Sequence, residues 1–342
     1  MSSNNQPSNG QSGSKRAELT PVNYGGQAVI EGVMMRGSRA LSVAVRNPHG
    51  DIVVHTEPLD ARIYGGRLAR IPFLRGLTLL WDALGLGIKS LMFSAEVALQ
   101  EEGNVIEKGE PAKVFEGPVQ WTMVGFSLLV SILLFFVFPT FVAHQIERLF
   151  DLSDVSVVVN LIEGIIRLAL LIGYIWAIGQ MADIKRLFGY HGAEHKTINA
   201  YEAGADLNPL SVARFPLEHP RCGTAFLLSV VVISIILYSF LPQMDLIPRI
   251  LSRLALLPVV AGIAYEYLRF TAVHQNNAIV RLITKPNLAL QRLTTREPDH
   301  EMLAVAIAAF ENVLAYEQSH RAIEMGDTVI ARPTPRGVPG EV

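Results

Sequence analysis

The apolar positions of this chain fall in long runs rather than in the short stripes of a soluble globule. Runs with few or no charges cover about residues 119–142, 155–180, 224–241 and 246–268. A helix needs roughly 20 apolar residues to cross ~30 Å of hydrocarbon, so the pattern predicts a bundle of four transmembrane helices. The second run carries Glu163 and Arg167 at i, i+4, the spacing of a helix ion pair, and charges at that depth should face the bundle. The fourth run has Arg249 and Arg253 near its start and Glu266 near its end. The stretch 73–99, FLRGLTLLWDALGLGIKSLMFSAEVAL, is apolar but broken by Asp82 and Lys89. It reads as an interfacial or core helix, with a span as the alternative.

Ahead of these runs the period shortens to two. GGQAVIEGVMMRG at 25–37, LSVAVRN at 41–47 and IVVHTE at 52–57 read as about three strands, with Asn47-Pro48-His49-Gly50-Asp51 as a hairpin turn. This β unit, 22–60, is too short to bury a core alone and should lean on other elements. At the other end, Asp299 can cap a helix over about 299–319 with Leu303, Ile307, Phe310 and Leu314 along one stripe. The fold expected is a mostly α membrane protein: a four-helix transmembrane bundle, a small cytosolic N-terminal β unit and a C-terminal amphipathic helix. Residues 1–21 and 321–342 read as a disordered leader and tail, 61–118 as an interfacial helical segment with a charged linker, and 271–320 as a cytosolic helical segment.

Composition agrees with the runs. The chain is 50% hydrophobic and 18% charged, against about 25% charged in ordinary soluble domains. A net charge of -2 offers no basic field for nucleic acid. The single cysteine, Cys222, excludes an internal disulfide, and the polar leader lacks the apolar core of a secretory signal. Lys and Arg concentrate before the first run, in 181–223 (Lys185, Arg186, Lys196, Arg214, Arg221) and after the fourth run, whereas 143–154 holds only Arg148. The positive-inside bias therefore puts both termini and the 181–223 loop in the cytoplasm.

That loop carries the candidate chemistry. Residues 191–195 read His-Gly-Ala-Glu-His. Two histidines four apart share one helix face, and a glutamate before the second matches the H-x-x-E-H pattern in which the histidines hold zinc and the glutamate activates water. Gly204 should stop a helix that begins near Tyr190. Further on, His219-Pro220-Arg221-Cys222 offers two more donors. His191, His195 and His219 would make an open catalytic site for a divalent metal, most simply zinc, with Glu194 as its base; Cys222 as a fourth ligand would close the sphere and make it structural. Glu202 lies ~10 Å beyond His195 along such a helix, which suits a supporting position or a second metal. Glu31 and Glu266 are weaker candidates for the same sphere. Glu31 and Arg36, in the Gly-rich segment 24–37, and Arg221 could also face a substrate anion, although tight hairpin turns explain that segment's glycines as well. Gln291 to Pro298 reads as a helix start with surface charge.

These motifs together resemble the YqhQ-like family of bacterial membrane proteins, for which metal-dependent chemistry is suggested and no function is known. The resemblance rests on YGGQAVIEGVMMRG at 24–37, YHGAEHKTINAYE at 190–202, HPRCGTAF at 219–226, YEYLRF at 265–270 and LTTREP at 293–298. It implies a multi-pass protein of the bacterial inner membrane and carries over no substrate. Two functions fit: a membrane-embedded hydrolase acting on a lipid-linked or membrane-proximal substrate, or a scaffold with structural zinc that binds a cytosolic partner.

Overall fold

The computed structural model describes residues 24–60, 71–99, 118–151 and 155–324; the expected leader 1–21 and the linker residues 101–117 lie outside the described residues, and so does the expected tail 321–342 except 321–324, which are helical. Strands β1 (Gly25–Val29), β2 (Gly32–Arg36), β3 (Ala40–Arg46) and β4 (Ile52–Pro58) form one antiparallel meander in chain order. There are four strands where the alternation predicts about three. The run 25–37 folds back on itself at Ile30-Glu31: Val29 pairs with Gly32, and Glu31 takes a left-handed φ of 51°. A two-residue hairpin turn needs positive φ, which a glutamate adopts only under constraint; Glu31 is held there by Arg186 and Tyr190. The turn at 47–51 forms as expected, with Gly50 at φ 94° and the Asn47 Oδ1 accepting from the Asp51 amide at 2.8 Å.

β3 is buried from Ala40 to Val45, on both faces. Leu41, Val43 and Val45 join Val29 and Met34 against Val97, while Ala44, Val33 and Met35 join Tyr24 against the C-terminal helix. So small a sheet cannot exclude water from either face alone, and two helices cover it.

The helices are α1 (Leu74–Ala98), α2 (Pro118–Ile132), a π turn (Leu133–Val137), α3 (Phe138–Leu149), α4 (Ser156–Ile178), α5 (Ala182–Glu202), α6 (Pro209–Val212), α7 (Gly223–Ser239), α8 (Leu246–Val273), α9 (Ala278–Thr294) and α10 (His300–Glu324). Four helical stretches among the described residues are long and apolar enough to cross a membrane: Arg75–Ala98, Val124–Leu149, Ser156–Ile178 and Leu246–Val273. The 224–241 run is helical but gives only the 17 residues of α7, about 25 Å at 1.5 Å per residue. α1 takes the fourth place by length. Its Leu86, Leu91, Phe93 and Val97 pack on the sheet, Gly76 lies against the Tyr265 ring of α8, and Leu77, Trp81, Leu84 and Ile88 form an exposed apolar stripe. The π turn precedes Pro139. Proline cannot donate to the carbonyl four residues back, and one wider turn accommodates the lost bond without breaking the helix.

The predicted ion pair is present: Arg167 Nη2 donates to Glu163 Oε1 at 2.7 Å, both side chains buried. α10 starts at the expected cap, Asp299 Oδ1 accepting from Met302 N at 2.7 Å. It is buried on more than one stripe, since β2, β3 and α5 all pack on it. Near its end, Glu317 clamps the sheet: it accepts from the Tyr24 hydroxyl at 2.9 Å, from the Ser38 amide at 2.6 Å and from the Ser38 hydroxyl at 2.9 Å.

Candidate metal centre

α5 positions the first two histidines. It begins at Ala182, eight residues before the expected Tyr190, because the polar 182–189 segment continues the same turn; Gly204 ends it at φ 72° as anticipated. Small residues let this helix approach its neighbours. A Cβ on Gly192 would run into the Arg296 carbonyl and the Leu217 side chain, and one on Gly189 into Met302. The approach brings the 217–222 and 294–297 segments against the histidine face.

The donors meet there. Ligand atoms of His191, His195 and Cys222 all lie within 4.8 Å of one another. His191 Nε2 is 3.2 Å from Cys222 Sγ, and the His191 and His195 ring centroids are 4.4 Å apart. His219 stands one ring further, 5.6 Å from His195 centroid to centroid. All three imidazoles are oriented alike. His191 Nδ1 donates to the Thr294 carbonyl at 2.8 Å, His195 Nδ1 to the Leu217 carbonyl, and His219 Nδ1 to Asn199 Oδ1 at 2.9 Å. A carbonyl oxygen only accepts, so each Nδ1 carries a proton, and in the neutral ring Nε2 then keeps its lone pair. Asn199 is oriented by its own amide, which donates to the Pro216 and Glu218 carbonyls. The Nε2 atoms of His195 and His219 are buried with no hydrogen-bond partner. Burial, with His195 and His191 nearby, pushes the His219 imidazole down to about 3, so it stays neutral.

Glu194 lies beside this group. It is 3% exposed, and its Oε2 has no partner. Burial pushes its carboxyl up to about 7 against the opposing pull of His191 and the Gly26 amide. Gly26 has a definite role: a Cβ there would press on the Glu194 side chain at 3.0 Å and on the Met34 carbonyl. His191, His195 and Cys222 are donors of the kind a borderline-soft divalent cation takes, and His219 and Glu194 lie beside that cluster with Nε2 and Oε2 unpartnered.

The family described as "Protein of unknown function (DUF1385)" matches residues 71–316, which include every one of these donors. The chain belongs to that family. It is also 34% identical over 301 residues to "Uncharacterized protein YqhQ" of Bacillus subtilis (strain 168), a match covering 87% of this chain and 94% of the relative. No solved structure matches.

The other expected site residues sit elsewhere. Glu31 pairs with Arg186 at 2.5–2.6 Å and with the Tyr190 hydroxyl at 3.2 Å, which fastens the β1–β2 turn to α5 and holds the Glu31 carboxyl below its ordinary range. Glu266 binds Arg75, at 2.7 Å to its Nε, and the Phe73 amide, so it ties α8 to the start of α1. Neither joins the cluster of ligand atoms. Arg36 is half-buried and within electrostatic reach of Asp82 and Tyr265. Glu202 pairs with Arg221 and so tethers the end of α5 to the residue preceding Cys222. Gln291, expected in a charged surface segment at a helix start, instead lies buried near the end of α9, and neither it nor Lys196 was expected to support the site. Gln291 is fully buried and clamps the His219 backbone from both sides, accepting from its amide at 2.9 Å and donating to its carbonyl at 2.8 Å. Lys196 reaches Glu297 and the Ala213 carbonyl. A signal existed for Asn199: it continues the His191–His195 face by another four residues. The backbone carbonyls of Thr294 and Leu217 leave no sequence signal.

Proposed function

We propose that this chain is a membrane-embedded, metal-dependent hydrolase whose site, His191, His195, His219 and Glu194, faces the cytoplasm. The observation that carries the reading is that all three histidines spend Nδ1 on an oxygen, while the Nε2 atoms of His195 and His219 are buried without a partner and that of His191 meets Cys222 Sγ. That is the arrangement in which carbonyls behind the rings fix metal ligands. Imidazole nitrogen donors suit zinc. Such a cation supplies Lewis acidity and a bound water of lowered pKa. Glu194 would take the proton: its Oε2 is free, and a carboxyl near 7 is matched to neutral pH. Membrane residence is supported by the apolar helices and by the Lys/Arg asymmetry. A site at the cytoplasmic ends of such helices suits a lipid-linked or membrane-proximal substrate.

A second reading has its own observation. Cys222 Sγ lies within the ligand cluster, and a fourth protein donor would leave no position for water. The protein would then be a scaffold or assembly factor with structural zinc and a cytosolic partner. Metal content of the purified variants separates the two. Under the hydrolase reading, Cys222→Ser keeps the metal, and Glu194→Gln keeps metal and fold but lowers turnover roughly 10²–10⁴-fold, because an amide cannot accept the proton. Loss of metal from Cys222→Ser, together with normal cellular function of Glu194→Gln, sinks the hydrolase and leaves the scaffold.

A further inference from the structure

Far from the histidines, between α3, α4 and α8, lies a second polar group that the metal reading does not use. Glu163 accepts from Arg167 at 2.7 Å, from Arg253 Nε at 3.2 Å and from the Thr140 hydroxyl at 3.2 Å. Arg253 also donates to Asn160 Oδ1 at 2.6 Å, and its guanidinium lies 4.6 Å from the centre of the Tyr238 ring. One turn earlier on α8, Arg249 Nη2 donates to Glu147 Oε2 at 2.7 Å. Gln243, in the α7–α8 loop, also donates to Glu147, and His144 lies 3.5 Å from it.

The group is not balanced. Among the described residues, Arg167, Arg249 and Arg253 form ion pairs only with Glu147 and Glu163, and none of the five side chains is more than 10% exposed. One positive charge is left over among the described residues, and protonating His144 would add another. A second observation points the same way. Arg249 Nη1 is buried with no hydrogen-bond partner, so one edge of its guanidinium holds Glu147 while the other holds nothing. An uncompensated buried cation is unfavourable even after relaxation, and more so at membrane depth. A planar donor fork with a free edge suits an oxyanion.

We propose that Arg249, backed by Arg253 and Arg167, forms an anion-binding site for a phosphate-class oxyanion, carried by a phospholipid headgroup or free in solution. The proposal is independent of the metal centre. Only the lipid source rests on the membrane reading, and the recovery of the chain in membranes after carbonate extraction tests that reading separately.

The test is thermal unfolding of the detergent-solubilised full chain, titrated with inorganic phosphate, with dioleoylphosphatidylglycerol or with zwitterionic dioleoylphosphatidylcholine. A ligand that binds the folded state raises the midpoint by mass action, by about 4 °C at a hundredfold excess over its Kd. Wild type and Arg148→Gln, a change at an exposed position on α3, should both respond to an anionic probe and not to phosphatidylcholine. Arg249→Gln should abolish the response. Arg249→Lys, which keeps the charge beside Glu147 but lacks the second edge, should cut it to less than half. A response to phosphatidylglycerol alone assigns the lipid headgroup; a response to both anions assigns the phosphate group from either source. No response of wild type to either anion overturns the proposal, and so does a response in Arg249→Lys as large as in wild type. The lysine variant decides the matter if the glutamine variant fails to fold.

Discussion

At the scale of single residues, the proposed metal centre would depend on atoms that never touch the metal. Asn199 fixes the His219 tautomer at 2.9 Å and is itself fixed by two carbonyls. Asn199→Ala should therefore leave the fold intact and weaken metal affinity about 10–100-fold, the usual effect of losing such an outer partner. Competition with a chromogenic chelator measures it, and an unchanged affinity would remove Asn199 from the site. Gly26 makes a complementary prediction. A methyl there meets Glu194 and the Met34 carbonyl, so Gly26→Ala should cost about 1–3 kcal/mol by overpacking. It should also displace the carboxylate, so turnover falls by more than metal content does. A variant with wild-type stability and turnover would show that the backbone has room to yield.

At the scale of elements, α10 and α1 hold the sheet from its two sides. Glu317 on α10 satisfies the Tyr24 hydroxyl and the Ser38 amide and hydroxyl, and is 2% exposed. Removing a buried acceptor strands its donors at about 1–3 kcal/mol. Glu317→Ala should lower stability by about that much and speed amide exchange selectively in β2 and β3, as read by hydrogen exchange; uniform exchange across the chain would argue against a local clamp. On α1, Trp81 is 80% exposed in line with Leu77, Leu84 and Ile88, the pattern of a helix with one face in an apolar medium. With Trp121 and Trp176 replaced by Phe, the remaining fluorescence should be quenched by brominated phospholipid in proteoliposomes. Quenching instead by aqueous iodide would place that stripe in water.

At the scale of the whole molecule, long apolar helices lie beside a polar unit built from the sheet, α5 and α10. Reporter fusions after residues 148 and 205 should fall on opposite sides of the membrane, because Lys and Arg are abundant in 181–223 and only Arg148 occurs in 143–154. Finding both reporters on one side would end the proposed topology, whatever the metal content.

Much of this was readable along the chain because it depends on local pattern. The apolar runs at 119–142, 155–180 and 246–268, the Asn47–Asp51 turn, the Asp299 cap and the Glu163–Arg167 pair each follow from spacing within a few residues, where helix and strand periods act directly. The pairing of His191 with His195 followed from helix period alone, and only folding set Cys222 within reach of both. Other features arise between segments far apart, and no local period encodes them. The extra hairpin at Ile30-Glu31 needs Arg186 and Tyr190, more than 150 residues away. Glu31 and Glu266 were drawn toward the metal on residue type, but in three dimensions each found an arginine closer. The His219 backbone is held by Gln291, and the His191 ring by the Thr294 carbonyl, a group every residue possesses. Residue type and period determine which side chains can bind a metal; the packing of α5 against α10 and against the 217–222 and 294–297 segments decides which of them are buried together.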